Sequence, residues 1–196
     1  MQKPNNYDNV TAPGEFTPIE LGGHKLKIMQ VEELTNRAGK PMIKISFDTA
    51  PDDKQPNYYS TQYKNDTREQ KKWSGVSWLN VLDHEGNTSK SFKGFCTSVE
   101  ESNPGFSMVW GDGFSNALKS KLIGGVFGEE EYLNDNGDVK TARKLRFWRS
   151  VEGALKADVP EKKYLQGSGE QGRTSAAGTD GFINIPDTDL DELPFN

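Results

Sequence analysis

Apolar and polar positions alternate in steps of two along several stretches of the chain, the period of a half-buried strand. Between His24 and Leu34 the apolar positions are Leu26, Ile28 and, beyond Gln30, Val31, and the missed step predicts a bulged strand. Asn36-Arg37-Ala38-Gly39 follows as a turn, with Gly39 supplying positive φ. Ile43, Ile45 and Phe47 then alternate with Lys44, Ser46 and Asp48, a second strand that pairs back on the first and stops at Pro51-Asp52-Asp53. Tyr58 to Lys64, rich in Tyr and Thr, predicts a third strand with Tyr59, Thr61 and Tyr63 on one face. Residues 66–85 show no settled period and fit either a short helix or a long functional loop. Phe92, Phe95, Cys96 and Val99 recur at helical spacing, with Thr88 or Ser89 as cap and Pro104-Gly105 as stop. One more helical turn fits Asn116 to Lys121. Leu122 to Leu133 and Val139 to Val151 read as the fourth and fifth strands, joined by a turn at Asn134-Asp135-Asn136-Gly137. In the fifth, Leu145, Phe147 and Val151 share one face and Lys144, Arg146 and Trp148 the other.

Three strands, a helix and two strands is the element order of an OB-fold, a five-stranded barrel with its helix between strands three and four. A β-rich barrel of this kind is therefore expected over residues 24–165, although another small β-barrel or an α+β sheet shares the same local signals. Residues 1–23 read as an N-terminal arm. Residues 166–186, with Gly167-Ser168-Gly169 and Gly172 to Gly178, cannot bury enough apolar area to offset ordering entropy and read as a flexible linker. They lead to an acidic tip at 187–196, whose Leu190, Leu193 and Phe195 stand among acids.

Charge changes the picture because it is unevenly spread. The net charge is −5, yet residues 166–196 hold one basic and six acidic side chains, so the first 165 residues balance at 23 of each sign. An acidic pI therefore does not exclude a polyanionic ligand. Aromatics make up 10% of the chain, with four Trp, more than a core of this size needs. Sequence-tolerant binding of a single nucleic-acid strand needs cations along the phosphates and flat rings for unstacked bases. The expected outer face of the fifth strand offers both, as Lys144, Arg146 and Trp148 with Arg143 and Arg149 beside them. Tyr59 and Tyr63, with Tyr58, form a second candidate platform, and Lys64, Arg68, Lys71, Lys72 and Trp73 a candidate loop clamp. Lys25 and Lys27 fit the same groove.

Enzymatic chemistry finds little to stand on. His24 and His84 are the two histidines and Cys96 the one cysteine, so neither a zinc set nor a Cys-His pair assembles at normal spacing. No phosphate-binding Gly-rich loop ending in Gly-Lys-Ser/Thr is present. Glu129-Glu130-Glu131 reads as an exposed acidic edge that discourages strand pairing rather than as a divalent-cation site. Asp138-Val139-Lys140 has a nuclease-like spacing without a partner carboxylate. No catalytic residue, metal or cofactor is expected. No run of about 18 apolar residues predicts a membrane span. The first residues lack the apolar stretch of a secretory signal, and a single cysteine suits a reducing cytoplasm.

The segment from Gly23 through Tyr63, with Val31-Glu32, Ala38-Gly39-Lys40-Pro41-Met42 and Ile43 to Asp48, resembles a phage-encoded group of small single-stranded-DNA-binding proteins. So does the stretch from Leu118-Lys119 through Lys121-Leu122-Ile123-Gly124 to Glu130-Glu131-Tyr132, Asn134 and Gly137. The resemblance covers roughly residues 20 to 165. Separately, the tip is similar to the tail of bacterial single-stranded-DNA-binding proteins, with Asp189, Asp191 and Glu192 as the acids and Pro194-Phe195 as the final pair, here followed by Asn196. Together these imply a protein that coats single-stranded DNA in the cytoplasm of a bacterial host. Its tip, Asp189 to Phe195, would recruit replication or recombination proteins, and a homo-oligomer is left open. The alternatives are a protein-interaction adaptor or virion component and, behind it, a metal-dependent nuclease.

Overall fold

The computed structural model describes residues 2–3 and 17–165. The linker and acidic tip expected at 166–196 lie outside the described residues. The elements are β1 Gly22–Thr35, β2 Pro41–Thr49, α1 Tyr58–Asn65, β3 Val76–Asn80, α2 Lys90–Ser102, α3 Phe114–Leu118, β4 Leu122–Leu133, β5 Val139–Arg149 and α4 Val151–Leu155. All five strands join one antiparallel sheet in the order β3-β2-β1-β4-β5. The β-rich class expected from the sequence holds, but the sheet is open and does not close into a barrel. Its two edges, β3 and β5, do not pair, and α2 lies on the inner face in contact with both. Among the described residues no helix is long and apolar enough to cross a membrane.

The core follows from strand alternation interrupted twice. In β1, Ile28 faces Phe47 and Gln30 faces Ser46, which leaves Met29 as an additional residue. That bulge keeps Val31 on the same buried face as Leu26 and Ile28, as the missed step in the sequence predicts. Ile43, Ile45, Phe47 and Leu79 complete this face, and Phe92, Phe95, Cys96 and Val99 of α2 cover it. Each such fully buried side chain contributes about 1.5–3 kcal/mol. Ser89 caps α2, its hydroxyl accepting the Phe92 N–H at 3.1 Å.

The third predicted strand is a helix. Asp48, buried at the end of β2, accepts the N–H groups of Tyr59 at 2.8 Å and Ser60 at 3.2 Å, which satisfies the open end of α1. Asn57, at φ 51°, turns the chain into it. Tyr59 and Tyr63 are four residues apart, a spacing that suits one helix face as well as one strand face. The true third strand, Val76–Asn80, lies in the stretch whose period was unreadable. Gly75 leads into it because a Cβ there would stand 2.2 Å from the Phe47 carbonyl oxygen. α4 docks on the outer face of β1 and β4 for a similar reason, since a Cβ on Gly124 would lie 2.5 Å from the Ala154 methyl.

Candidate nucleic-acid interface

The fifth strand does not present the expected platform. Val126 pairs with Phe147 and Phe127 with Leu145, so Arg146 is an additional residue that reverses the alternation beyond it. Trp148 consequently faces inward, is 4% exposed, and meets Phe47 and Phe95 edge-on at 5.5 and 5.4 Å. Its Nε1–H has no hydrogen-bond partner. Phe147, expected inside, faces outward under the Arg149 guanidinium at 5.4 Å. The neighbouring cations lean on the protein itself. Arg143 donates to the Ile19 carbonyl at 2.7 Å and lies 3.9 Å from Glu129. Arg146 donates to the Glu129 carbonyl at 3.4 Å, Arg149 to the Trp148 carbonyl at 3.3 Å, and Lys144 sits 6.0 Å from the Tyr132 ring centroid.

The region from α1 to β3 brings rings and cations together instead. Tyr59 points into the core, 8% exposed and edge-on to Phe47 at 5.4 Å, and burial pushes its hydroxyl far above the ordinary range. Tyr63, one turn further on, is 40% exposed. The Trp73 ring lies 5.8 Å from it at an interplanar angle of 50°. Two carbonyls hold that indole in place, with Nε1–H donating to Phe47 at 3.2 Å and Gly75 at 3.1 Å. Lys71 Nζ stands 5.8 Å from the Tyr63 centroid and 3.4 Å from the Lys64 carbonyl. Lys64 and Lys72, next in the chain to Tyr63 and Trp73, are exposed. Arg68 is engaged elsewhere, in a forked contact to Asp66 at 2.7–3.1 Å, and its guanidinium holds the Asp66 carboxyl down to about 2. Of the loop clamp read from the sequence, Lys71 and Trp73 meet Tyr63, while Lys64 and Lys72 are exposed chain neighbours of Tyr63 and Trp73.

The sequence reading missed Trp78 and Lys44. Trp78 stands opposite Lys44 on the outward face of β2 and β3, with Lys44 Nζ 5.7 Å from its ring centroid and 3.0 Å from Glu32. The signal was there in Ser77 and Leu79 pointing in against Val76, Trp78 and Asn80 pointing out. Five residues among lysines and aromatics were too few to establish the period.

Groups with catalytic potential are used structurally. His24 is buried between the Asp53 carboxylate at 2.8 Å and the Glu20 carbonyl at 3.0 Å. Burial works against ionisation of Asp53, but hydrogen bonds from His24 and from the N–H groups of Gln55 and Lys25 outweigh it and hold the carboxyl below its usual range. Burial raises the Cys96 thiol to about 11. The expectation of an exposed acidic edge at Glu129–Glu131 is corrected. Glu130 is buried against Lys163 at 3.0 Å, Glu131 meets Lys162 at 2.8 Å, and the strand bridges to Lys163 on one side while pairing with β5 on the other. Among the described residues no group of three His, Cys, Asp or Glu could hold a metal ion. Compared with known proteins, the chain matches no protein-family model and no curated sequence.

Proposed function

We propose that this chain binds single-stranded DNA with little sequence preference, as an accessory protein of phage replication or recombination in the bacterial cytoplasm. The observation that carries the reading is the Tyr63–Trp73 pair with Lys71 beside it, Lys64 and Lys72 being exposed next to these rings in the chain. An exposed ring braced by an anchored one gives unstacked bases a surface, and the ammonium groups meet the phosphates. Trp78 and Lys44, on the outward face of β3 and β2, supply a second ring with a cation over it. The strand connectivity supports an OB-type sheet opened between β3 and β5, a fold in which strands two and three commonly face an oligonucleotide. In this account the acidic tip, through Asp189, Leu190, Asp191, Glu192, Leu193, Pro194 and Phe195, recruits partner proteins.

Titration of the full chain with an oligo(dT) strand and with a duplex of equal length, following tryptophan fluorescence, tests the reading. Quenching by the single strand alone is expected; equal affinity for both, or for neither, overturns it. One observation favours a protein-binding adaptor instead. Trp110 is 65% exposed and stacked on Phe114 at 5.8 Å and 14°, with Val109 exposed next to it. An adaptor would leave the fluorescence unchanged in both titrations.

A further inference from the structure

The two edges of the sheet differ in how they meet solvent. β5 carries Lys140, Arg143, Lys144, Arg146 and Arg149 and a bulge, devices that keep an edge from pairing with another strand. β3, Val76-Ser77-Trp78-Leu79-Asn80, has no charge, no proline and no bulge. Its hydrogen bonds to β2 run through the odd-numbered residues, as shown by Phe47 N–H to the Gly75 carbonyl and Val81 N–H to the Pro41 carbonyl on either side. The backbone groups of Val76, Trp78 and Asn80 therefore face the free edge. Val76 N–H turns back to the Ser74 carbonyl and the Asn80 carbonyl accepts the Ser89 hydroxyl at 2.6 Å. Trp78 N–H and C=O, Asn80 N–H and Val76 C=O have no partner among the described residues.

We propose that β3 pairs antiparallel with β3 of a second copy of this chain, about a two-fold axis at Trp78. In that register Trp78 exchanges both backbone bonds with its counterpart, at the Cα separation of about 5.5 Å typical of such a pair. Asn80 N–H then donates to Val76 C=O at each end, so the groups left open on this edge are the ones the pairing uses. No like charges meet, and the contact is isologous and closed. Pairing of β5 with itself would instead set lysines and arginines against each other across a bulge. The two outward faces become continuous, with both Trp78 rings and both Lys44 side chains on one surface. The association stands independently of DNA binding.

The test is the mass of the full chain in solution without DNA, by light scattering behind size exclusion, together with amide exchange at Trp78 and Asn80. The expected mass is twice the 21.8 kDa of one chain, with both amides exchanging slowly. Val76 and Asn80 are half-buried outward positions that would stand opposite each other in the pair. The double variant V76K/N80K places lysine against lysine and should give the mass of one chain. V76E/N80K places opposite charges there and should restore the doubled mass. A wild-type mass of one chain at all concentrations, or rapid exchange of the Trp78 amide in a doubled species, overturns the proposal. So does a V76K/N80K variant that stays doubled.

Discussion

Arg143 to Arg149 of β5 and Tyr63 to Trp73 between α1 and β3 have similar composition, each mixing aromatic rings with several cations. The structure uses them differently. In β5 the Trp148 ring is buried between Phe47 and Phe95, the Phe147 ring faces outward under Arg149, and arginines on either side reach carbonyl oxygens of Ile19, Glu129 and Trp148. Between α1 and β3 one ring is anchored by two carbonyls while its neighbour remains 40% exposed, with Lys71 Nζ 5.8 Å from its centroid. In both regions one ring is held inward and its neighbour turns outward, so the difference lies in how far the outward ring is covered: Phe147 is half-buried under the Arg149 guanidinium, whereas Tyr63 is an exposed ring.

The largest effect that sharpens this contrast is on stability. Trp148→Ala should cost about 3–5 kcal/mol, as removal of a large buried ring does, and lower the urea midpoint, whereas Tyr63→Ala should leave it nearly unchanged. An unchanged midpoint for Trp148→Ala would break the comparison.

Next comes affinity. Tyr63→Ala should weaken single-strand binding by about 1–3 kcal/mol, one base's worth of stacking, with little dependence on salt. Anisotropy titrations at three salt concentrations measure it, and a loss that disappears at high salt would mean the ring does not stack.

A smaller effect concerns acid. Asp53 anchors the loop between β2 and α1, and its carboxyl is held below the usual value. A depressed carboxylate contributes stability that is present above the unfolded value of about 3.9 and is lost as pH falls through the folded one. The wild-type denaturation midpoint should therefore fall below about pH 4. Asp53→Asn should start lower and decline less over the same range. Parallel declines would remove Asp53 as the anchor.

The smallest effect is on salt dependence. Lys71→Ala should lower the slope of log affinity against log salt by about 0.7, the single-strand value for one phosphate contact. Arg146→Ala should leave the slope near the wild-type value, because its side chain is half-buried against the Glu129 carbonyl whereas Lys71 is exposed. A larger change at Arg146 than at Lys71 would return the interface to β5.

Much of the frame was legible from local pattern. The β1–β2 hairpin, the Ser89-capped α2 and the β4–β5 hairpin each have long periodic runs bounded by turn residues, so local and tertiary preferences agree. α1 was misread because Tyr and Thr favour strands, whereas the helix is decided by Asp48, distant in sequence, at its open end. β3 was missed for its brevity. The face of Trp148 was lost to a single additional residue at Arg146, and nothing in Arg143 to Arg149 marks a bulge, since its register is set by pairing with β4. In β1 the comparable bulge was visible because Met29-Gln30 interrupts an otherwise regular apolar alternation. The candidate site was half legible. Lys64, Lys71, Lys72, Trp73 and Tyr63 were named from composition, while Trp78 and Lys44 required the register of β2 and β3.

The central claim, that single-stranded DNA rests on the α1–β3 side, is tested most directly by comparing two variants in one binding assay. Labelled oligo(dT) is titrated with wild type, with the double variant Y63A/K71A and with the double variant R143A/R146A, at one moderate salt concentration and with folding verified by circular dichroism. The account predicts roughly tenfold or greater loss for Y63A/K71A, equivalent to about 1.4 kcal/mol, and near-wild-type affinity for R143A/R146A. The reverse ranking, or full affinity in Y63A/K71A, would contradict it.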